Sequence, residues 1–299
     1  MRQSRTRQIE SNSSPAAFSY HSNRSLRTDN TNQSRGGFTA LTIESSKSVN
    51  KTSRWLITIV LLAVLILVLI ATRVSTAAKL DIIQPTGFNY MPHSLIQYQK
   101  AAAAAIGSSI YNQDKLTLSS DDIALLLEKR FPEIGYAAVT VPFIGATPTV
   151  HIELVSPALI YSTSTLNYVL DSNGNIIGTS NILNSSEISN LPVIQSSISG
   201  SFSDGSQVLT NSNVLFIRTV KAALDAKAIK LSKMQLVPQA EELDVYPLGQ
   251  PYFVKFNLHE TDALQQVGTY LAALATLKSK NQIPKQYIDV RVDGRAYYK

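Results

Sequence analysis

Apolar and polar positions follow three different patterns along this 299-residue chain. Residues 1–53 are rich in Ser, Asn, Thr, Arg and Gln and show no apolar period. Such a segment buries too little surface to offset its ordering entropy, so disorder is expected there. Trp55–Thr72 follows as an unbroken run of eighteen residues without charge, Gly or Pro, closed by Arg54 and Arg73. Coiled as a helix it is about 27 Å long, close to the hydrocarbon thickness of a bilayer. A buried helix of a soluble protein keeps one polar side, and this run has none. A cleaved signal peptide has a short basic leader, whereas more than fifty residues precede this run, and Ser75-Thr76-Ala77 is a weak cleavage-like site. The pattern predicts a transmembrane helix at 54–74.

Beyond it, short alternating runs interleave with helical periods. Leu80–Ile83 reads as a strand before a turn at Pro85-Thr86-Gly87. Ser94 caps a helix through Ile106 that contains the run Ala101–Ala105 and ends at Gly107. A second helix opens at Ser119, with Asp122 three positions on and Ile123, Leu126 and Leu127 on one face, and stops at Pro132. Tyr136–Val141 and Thr149–Val155 read as strands; in the second, Val150, Ile152 and Leu154 share a face. The order over 75–155 is β-α-α-β-β.

The rest, 156–299, reads as a larger mixed sheet with helices on one side, so the fold class is α+β. Ala158–Tyr161, Leu166–Leu170 and Ile176-Ile177 are short strands, and Asn173-Gly174 signals a hairpin in which both turn residues take positive φ. Asn184–Asn213 is polar and Ser-rich around Leu191-Pro192-Val193-Ile194, and reads as an external loop with one anchored apolar spot. Ile217, Val220, Leu224, Ala228 and Leu231 recur at helical spacing. Gln235–Val237, Leu243–Tyr246 and Tyr252–Asn257 are strands. A helix from Thr261 to Lys280 points Leu264, Val267, Leu271 and Leu274 inward. Tyr287–Val292, a turn at Asp293-Gly294 and Arg295–Tyr298 close the chain.

Charge adds orientation. Residues 1–54 hold nine Lys/Arg and three acids, which is the whole net charge of +6. The remainder is neutral, so the basic balance is no footprint of nucleic-acid binding. The positive-inside rule places the N-terminus in the cytoplasm and the chain beyond about residue 75 outside, with Lys47–Arg54 near anionic headgroups of the lipid bilayer. There is no Cys, which excludes disulfides, thiolate metal sites and Cys nucleophiles.

Candidate chemistry is sparse. His151 and Glu153 share a strand face, without further ligands at a recognisable spacing. Asp171-Ser172-Asn173-Gly174-Asn175 begins like a calcium loop, but Ile176 and Ile182 stand where such a loop needs Gly and Glu. His93 lies in a loop, and His259-Glu260 precedes a helix it could cap. No nucleophile elbow, phosphate loop or zinc-protease motif occurs. No enzyme, cofactor or metal is expected. The C-terminal stretch alternates, carries Tyr287, Tyr297 and Tyr298 with Arg291 and Arg295, and ends the chain. Tyr and Arg dominate interface energetics, and an open edge accepts a partner by strand addition. The other reading is a closing strand whose Tyr and Arg shield its own edge.

The order of parts resembles the bacterial cell-division family FtsQ/DivIB. Phe131-Pro132-Glu133-Ile134-Gly135-Tyr136-Ala137-Ala138-Val139 is similar to the family's helix-to-strand passage, and Thr149–Leu154 to the strand that follows. Ser156-Pro157-Ala158, Tyr168–Gly174, Leu191-Pro192-Val193-Ile194 and Tyr287-Ile288-Asp289-Val290-Arg291 resemble its later motifs in the same order. Pro85-Thr86-Gly87 stands where the family usually has Gly-Asn. The resemblance implies a POTRA domain at 75–155 and a β domain at 156–299. It implies a non-enzymatic scaffold at the division septum that holds the single-span partners FtsB and FtsL among other divisome proteins. Its partner-binding edge would be Tyr287, Asp289, Arg291, Arg295, Tyr297 and Tyr298. The alternative is a membrane-anchored binding module for cell-wall glycan or solute, with a concave pocket lined by aromatics. An anchored hydrolase would need a converging Ser, His and acid.

Overall fold

The structure is a computed structural model that describes residues 51–198, 200–259 and 262–299. The expected disordered tail lies outside the described residues up to position 50, and Lys51–Ser53 instead form the first turn of a helix. That helix, α1 (Lys51–Ala71), contains a window of mean hydropathy 2.8 and is long and apolar enough to cross a membrane. None of that window is buried among the described residues.

Next come β1 (Lys79–Ile83), α2 (Leu95–Gly107), a short 3-10 turn at Ile110–Gln113, α3 (Ser120–Arg130), β2 (Ile134–Thr140) and β3 (Thr149–Leu154). The strands form a three-stranded sheet in the order β1-β3-β2, with β1 parallel and β2 antiparallel to β3. Val150, Ile152 and Leu154 all point into the core, as their alternation requires. They meet the small face of α2, Ala101, Ala102 and Ala105, whose short side chains let helix and sheet approach closely. One local expectation is corrected: the buried face of α3 is Ile123, Ala124 and Leu127, while Leu126 is exposed. Helix α2 ends at Gly107 as expected, and Ser108 closes it, its hydroxyl donating to the Ala105 carbonyl at 2.7 Å.

The larger sheet has nine strands: β4 (Leu159–Ser162), β5 (Asn167–Leu170), β6 (Ile176–Thr179), β7 (Val193–Ser196), β8 (Leu231–Val237), β9 (Glu242–Pro247), β10 (Phe253–Asn257), β11 (Tyr287–Asp289) and β12 (Tyr297–Tyr298). Their spatial order is β12-β11-β10-β9-β8-β7-β4-β5-β6. Helix α4 (Ser185–Ser189) precedes β7, and α5 (Asn211–Asp225) and α6 (Ala263–Ser279) cover one face. Ile194, Met234, Val245, Val254, Phe256 and Ile288 from the strands meet Ile217, Val220, Val267 and Tyr270 from these helices. At the β4-β5-β6 end the opposite face carries Ile160, Val169 and Ile177, which join the core of the smaller sheet. The two sheets therefore share one apolar cluster, and within it Tyr90 Oη donates to the Val155 carbonyl, just after β3, at 2.5 Å.

Four further expectations change. The anchored apolar spot at Val193-Ile194 is a central strand, β7, paired in parallel with β4 and β8. Helix α5 stops at Asp225; Ala228 turns left-handed at φ 56° and Leu231 opens β8. The inward face of α6 is Ala263, Gln266, Val267, Tyr270 and Leu277, with Leu264 exposed and Leu271 and Leu274 only partly covered. The Gln266 amide docks this helix on β10, accepting from the Asn257 N–H and donating to its carbonyl, each at 2.8 Å. The Asp171–Asn175 turn is wider than a two-residue hairpin: Asp171 N–H donates to the Asn175 carbonyl at 3.0 Å, and of the Asn173-Gly174 pair only Gly174 has positive φ.

Candidate functional site

The last fourteen residues build the outer border of the nine-stranded sheet. Strand β11 lies parallel to β10, with Phe253, Val254 and Lys255 opposite Tyr287, Ile288 and Asp289. Helix α6 is the crossover that a parallel pair requires. A turn through Gly294, at φ 63°, brings β12 back antiparallel, with Ile288 opposite Tyr298 and Asp289 opposite Tyr297. The Lys299 carbonyl accepts from the Lys285 and Gln286 N–H groups at 2.8 and 2.7 Å, and the Lys299 N–H donates to Tyr287 at 3.1 Å. Residue 299 thus points its backbone at β11. By the alternation of an antiparallel ladder, the N–H and C=O of Tyr298 point away from it. β12 is the outermost strand of the sheet, and among the described residues no strand lies beside that flank.

The six residues expected to bind a partner divide into two groups. Arg295, Tyr297 and Tyr298 are exposed, and Tyr298 Oη donates to Gln282 at 3.1 Å. Tyr287, Asp289 and Arg291 are instead half-buried and alternate with the core residues Ile288 and Val290. Arg291 donates to Asp289 through Nε and Nη2 at 2.9 and 2.7 Å, and through Nη1 to Glu242 at 2.6 Å. Lys255 donates to the other oxygen of Glu242 at 2.8 Å and lies over the rings of Phe253 and Tyr287. Asp289 and Arg291 are therefore matched within the protein, and their work is to clamp β11 to β9 and β10. Burial raises the Asp289 carboxyl, but its hydrogen bonds from Arg291 outweigh that and hold it below the usual carboxylate range.

The partners of this clamp, Glu242, Asp244 and Lys255, were not among the sequence candidates. Their signal was present as the polar half of two alternating strands. Which strands would lie side by side was not. Asp244 is buried, and its Oδ1 has no hydrogen-bond partner among the described residues. Burial first, then the adjacent Glu242, push its carboxyl up to about 7 against the pull of Lys255 and Arg291. An unfolded Asp ionises near 3.8, so from there to about 7 the folded chain holds the extra proton. Its contribution is complete below the lower value and is lost as pH rises through about 7. Asp244→Asn cannot ionise. It is expected to flatten the fall in stability between about pH 4 and pH 7 and to be the more stable protein at about pH 8, by urea unfolding.

The other candidates are structural. His151 Nδ1 lies 2.9 Å from Asp81 Oδ2 on β1, and its Nε2 lies 3.0 Å from the Thr140 hydroxyl, while Glu153 is exposed. No cluster of three or more metal-binding side chains occurs among the described residues. His93, read as a loop residue, meets Glu133 at 2.6 Å, and Tyr98 donates to the same carboxylate oxygen at 2.7 Å. The Asp171 carboxylate accepts from the N–H groups of Asn173 and Asn175 at 2.9 and 2.8 Å, which orders the turn. Helix α6 is capped by Asp262, accepting from Leu264 N–H at 3.0 Å, rather than by His259; Glu260 and Thr261 lie outside the described residues.

No protein-family model matches the chain, and no curated protein matches it.

Proposed function

We propose that this chain is a single-span, non-enzymatic scaffold of the bacterial division machinery, which binds FtsB/FtsL-type partners by strand addition along the free flank of β12. The observation that carries the reading is the position of β12, outermost in the sheet, with no strand on its outer flank among the described residues. The clamp of Arg291, Asp289, Glu242 and Lys255 holds β11 in place, so the edge is presented ready-formed. Further support comes from α1, apolar on every side and unburied among the described residues, and from the basic segment before it, whose charge favours a cytoplasmic N-terminus. The β1-α2-α3-β2-β3 order is consistent with the β-α-α-β-β order expected for a POTRA domain at this place.

The test follows from the ladder. Tyr298→Pro removes an outward-facing N–H while the bonds through Lys299 hold β12 to β11. Capture of the partners by co-purification is expected to fall about tenfold or more, the worth of one or two hydrogen bonds and the accompanying steric block. Deletion of Tyr287–Lys299 should abolish it, and Tyr298→Phe should keep it. Undiminished capture by Tyr298→Pro would overturn the edge reading.

One observation favours the second reading, a binding module. A cavity of about 530 Å³ opens between the C-terminal ends of α5 and α6, lined by Tyr252, Tyr270, Leu274 and Ile283 with Lys230 and Lys278 at its rim. It has the volume and apolar lining of a small-ligand site.

A further inference from the structure

Two loops of the smaller sheet domain end in apolar side chains that none of the described residues covers. The β2–β3 hairpin carries Phe143 and Ile144 at its tip, 97% and 87% exposed. The turn after α2 presents Ile110, Tyr111 and Leu116, the last 83% exposed. Large apolar groups this bare on neighbouring loops mark a contact surface.

Both loops are tied to the first residues beyond α1. The Lys115 N–H donates to the Thr72 carbonyl at 2.8 Å, and the Thr72 hydroxyl to Asp114 at 3.0 Å. The Val74 N–H donates to Gln113 at 2.9 Å, and the Ser75 N–H to Ala146, three residues from Phe143, at 2.6 Å. Lys115 Nζ joins the loops to each other, donating to the Phe143 carbonyl at 3.1 Å. A residue adds at most about 3.6 Å of reach, and the headgroup layer outside the hydrocarbon is about 5–7 Å deep on each side. Loops anchored at positions 72–75 therefore sit at the level where the apolar run leaves the hydrocarbon. Arg73 and Lys115 supply cations there, and Tyr111 supplies the amphipathic ring that such interfaces favour. The nearby acid, Asp114, is engaged by the Thr72 hydroxyl and the Leu116 N–H.

We infer that these two loops form a second membrane contact, with Phe143, Ile144 and Leu116 inserted into the outer leaflet of the phospholipid bilayer and Lys115 and Arg73 among its phosphates. The inference rests on the spanning reading of α1. Its consequence is mechanical. A domain held only by a single helix swivels freely, whereas a second contact sets one orientation of the domain above the membrane.

Trp55 is the only tryptophan in the chain and stands at the opposite end of α1, so it reports insertion of the span. The full-length protein is reconstituted into phosphatidylethanolamine–phosphatidylglycerol vesicles containing lipid brominated near the headgroup end of its chains. Quenching is read for the native protein and for Phe143→Trp and Leu264→Trp, each in a Trp55→Phe background. Leu264 is exposed on α6 and serves as the solvent control. The Phe143→Trp reporter is expected to shift to the blue and to be quenched several-fold more than the Leu264→Trp reporter. Native Trp55 quenched, with the two reporters alike, would overturn the loop contact while leaving the span. Native Trp55 unquenched would overturn both.

Discussion

Replacing Gly174 by alanine is expected to destabilise the folded protein by about 4 kcal/mol, from a left-handed penalty of about 1–2 kcal/mol and overpacking of about 1–3 kcal/mol. Gly174 has φ +80°, and a Cβ placed there would lie 2.1 Å from the carbonyl oxygen of Leu209. The obstacle is backbone, so no rotamer change relieves it. The segment cannot retreat cheaply either. Ile176 N–H donates to Ser206 at 3.0 Å, Val208 N–H to Gly174 at 3.0 Å, and the Asn211 side chain to Ser172 at 2.8 Å. These bonds fasten the approach to α5 onto the β5–β6 turn, and Leu209 is buried in the main core. The measurement is the urea midpoint at unchanged slope. Gly174→Asn separates the two costs: Asn tolerates the dihedral but brings the same Cβ, so it should recover only about 1 kcal/mol. A loss under about 1 kcal/mol for the alanine variant would show that the two segments part easily.

Glu133→Ala is expected to cost about 3–5 kcal/mol, the range for removing one member of a buried, hydrogen-bonded charged group. Its carboxylate is 1% exposed and receives Tyr98 Oη and His93 Nδ1. Tyr98 is fully buried, so truncation leaves its hydroxyl proton without its acceptor. Burial, and after it the hydrogen bond to Glu133, raise the Tyr98 hydroxyl pKa well above its ordinary value, so it remains a donor at any working pH. His93 is partly exposed and can turn to solvent, so Tyr98 carries most of the loss. In combination with Tyr98→Phe, which removes the stranded donor, the cost should fall short of additivity by about 1–2 kcal/mol. Strict additivity would place the effect of Glu133 elsewhere.

Part of this fold was written in local pattern. The apolar run of α1 needs no tertiary partner to be read, because it is apolar on every side. In β3 the alternation put Val150, Ile152 and Leu154 on one face, and that face lies in the core. Strand alternation has only two outcomes, so choosing a face is a binary decision. Helix faces were harder. On α3 the core accepts Ala124 where Leu126 was expected, and on α6 Gln266 and Tyr270 turn inward while Leu264 does not. A helix can be rotated by a fraction of a turn, and the shape of the opposing sheet sets that angle.

The candidate edge shows the same division. Its Tyr, Asp and Arg residues were legible as an alternating terminal strand, but Asp289 and Arg291 proved to be joined to Glu242 and Lys255, which are more than thirty residues away in sequence. β7 was missed for the same reason, since its four residues are too short to show a period and are paired with β4 and β8 from distant parts of the chain.

By itself the sequence determined what local chemistry can decide: one apolar helix long enough for a bilayer, a mixed α+β chain without Cys, and the solvent or core side of its clearest strands. The tertiary structure alone decided which strands are neighbours, which charges are matched internally, and which flank of β12 is left free. Those properties depend on contacts between residues far apart in the chain, and a contact of that kind leaves no mark on either segment until the backbone brings them together.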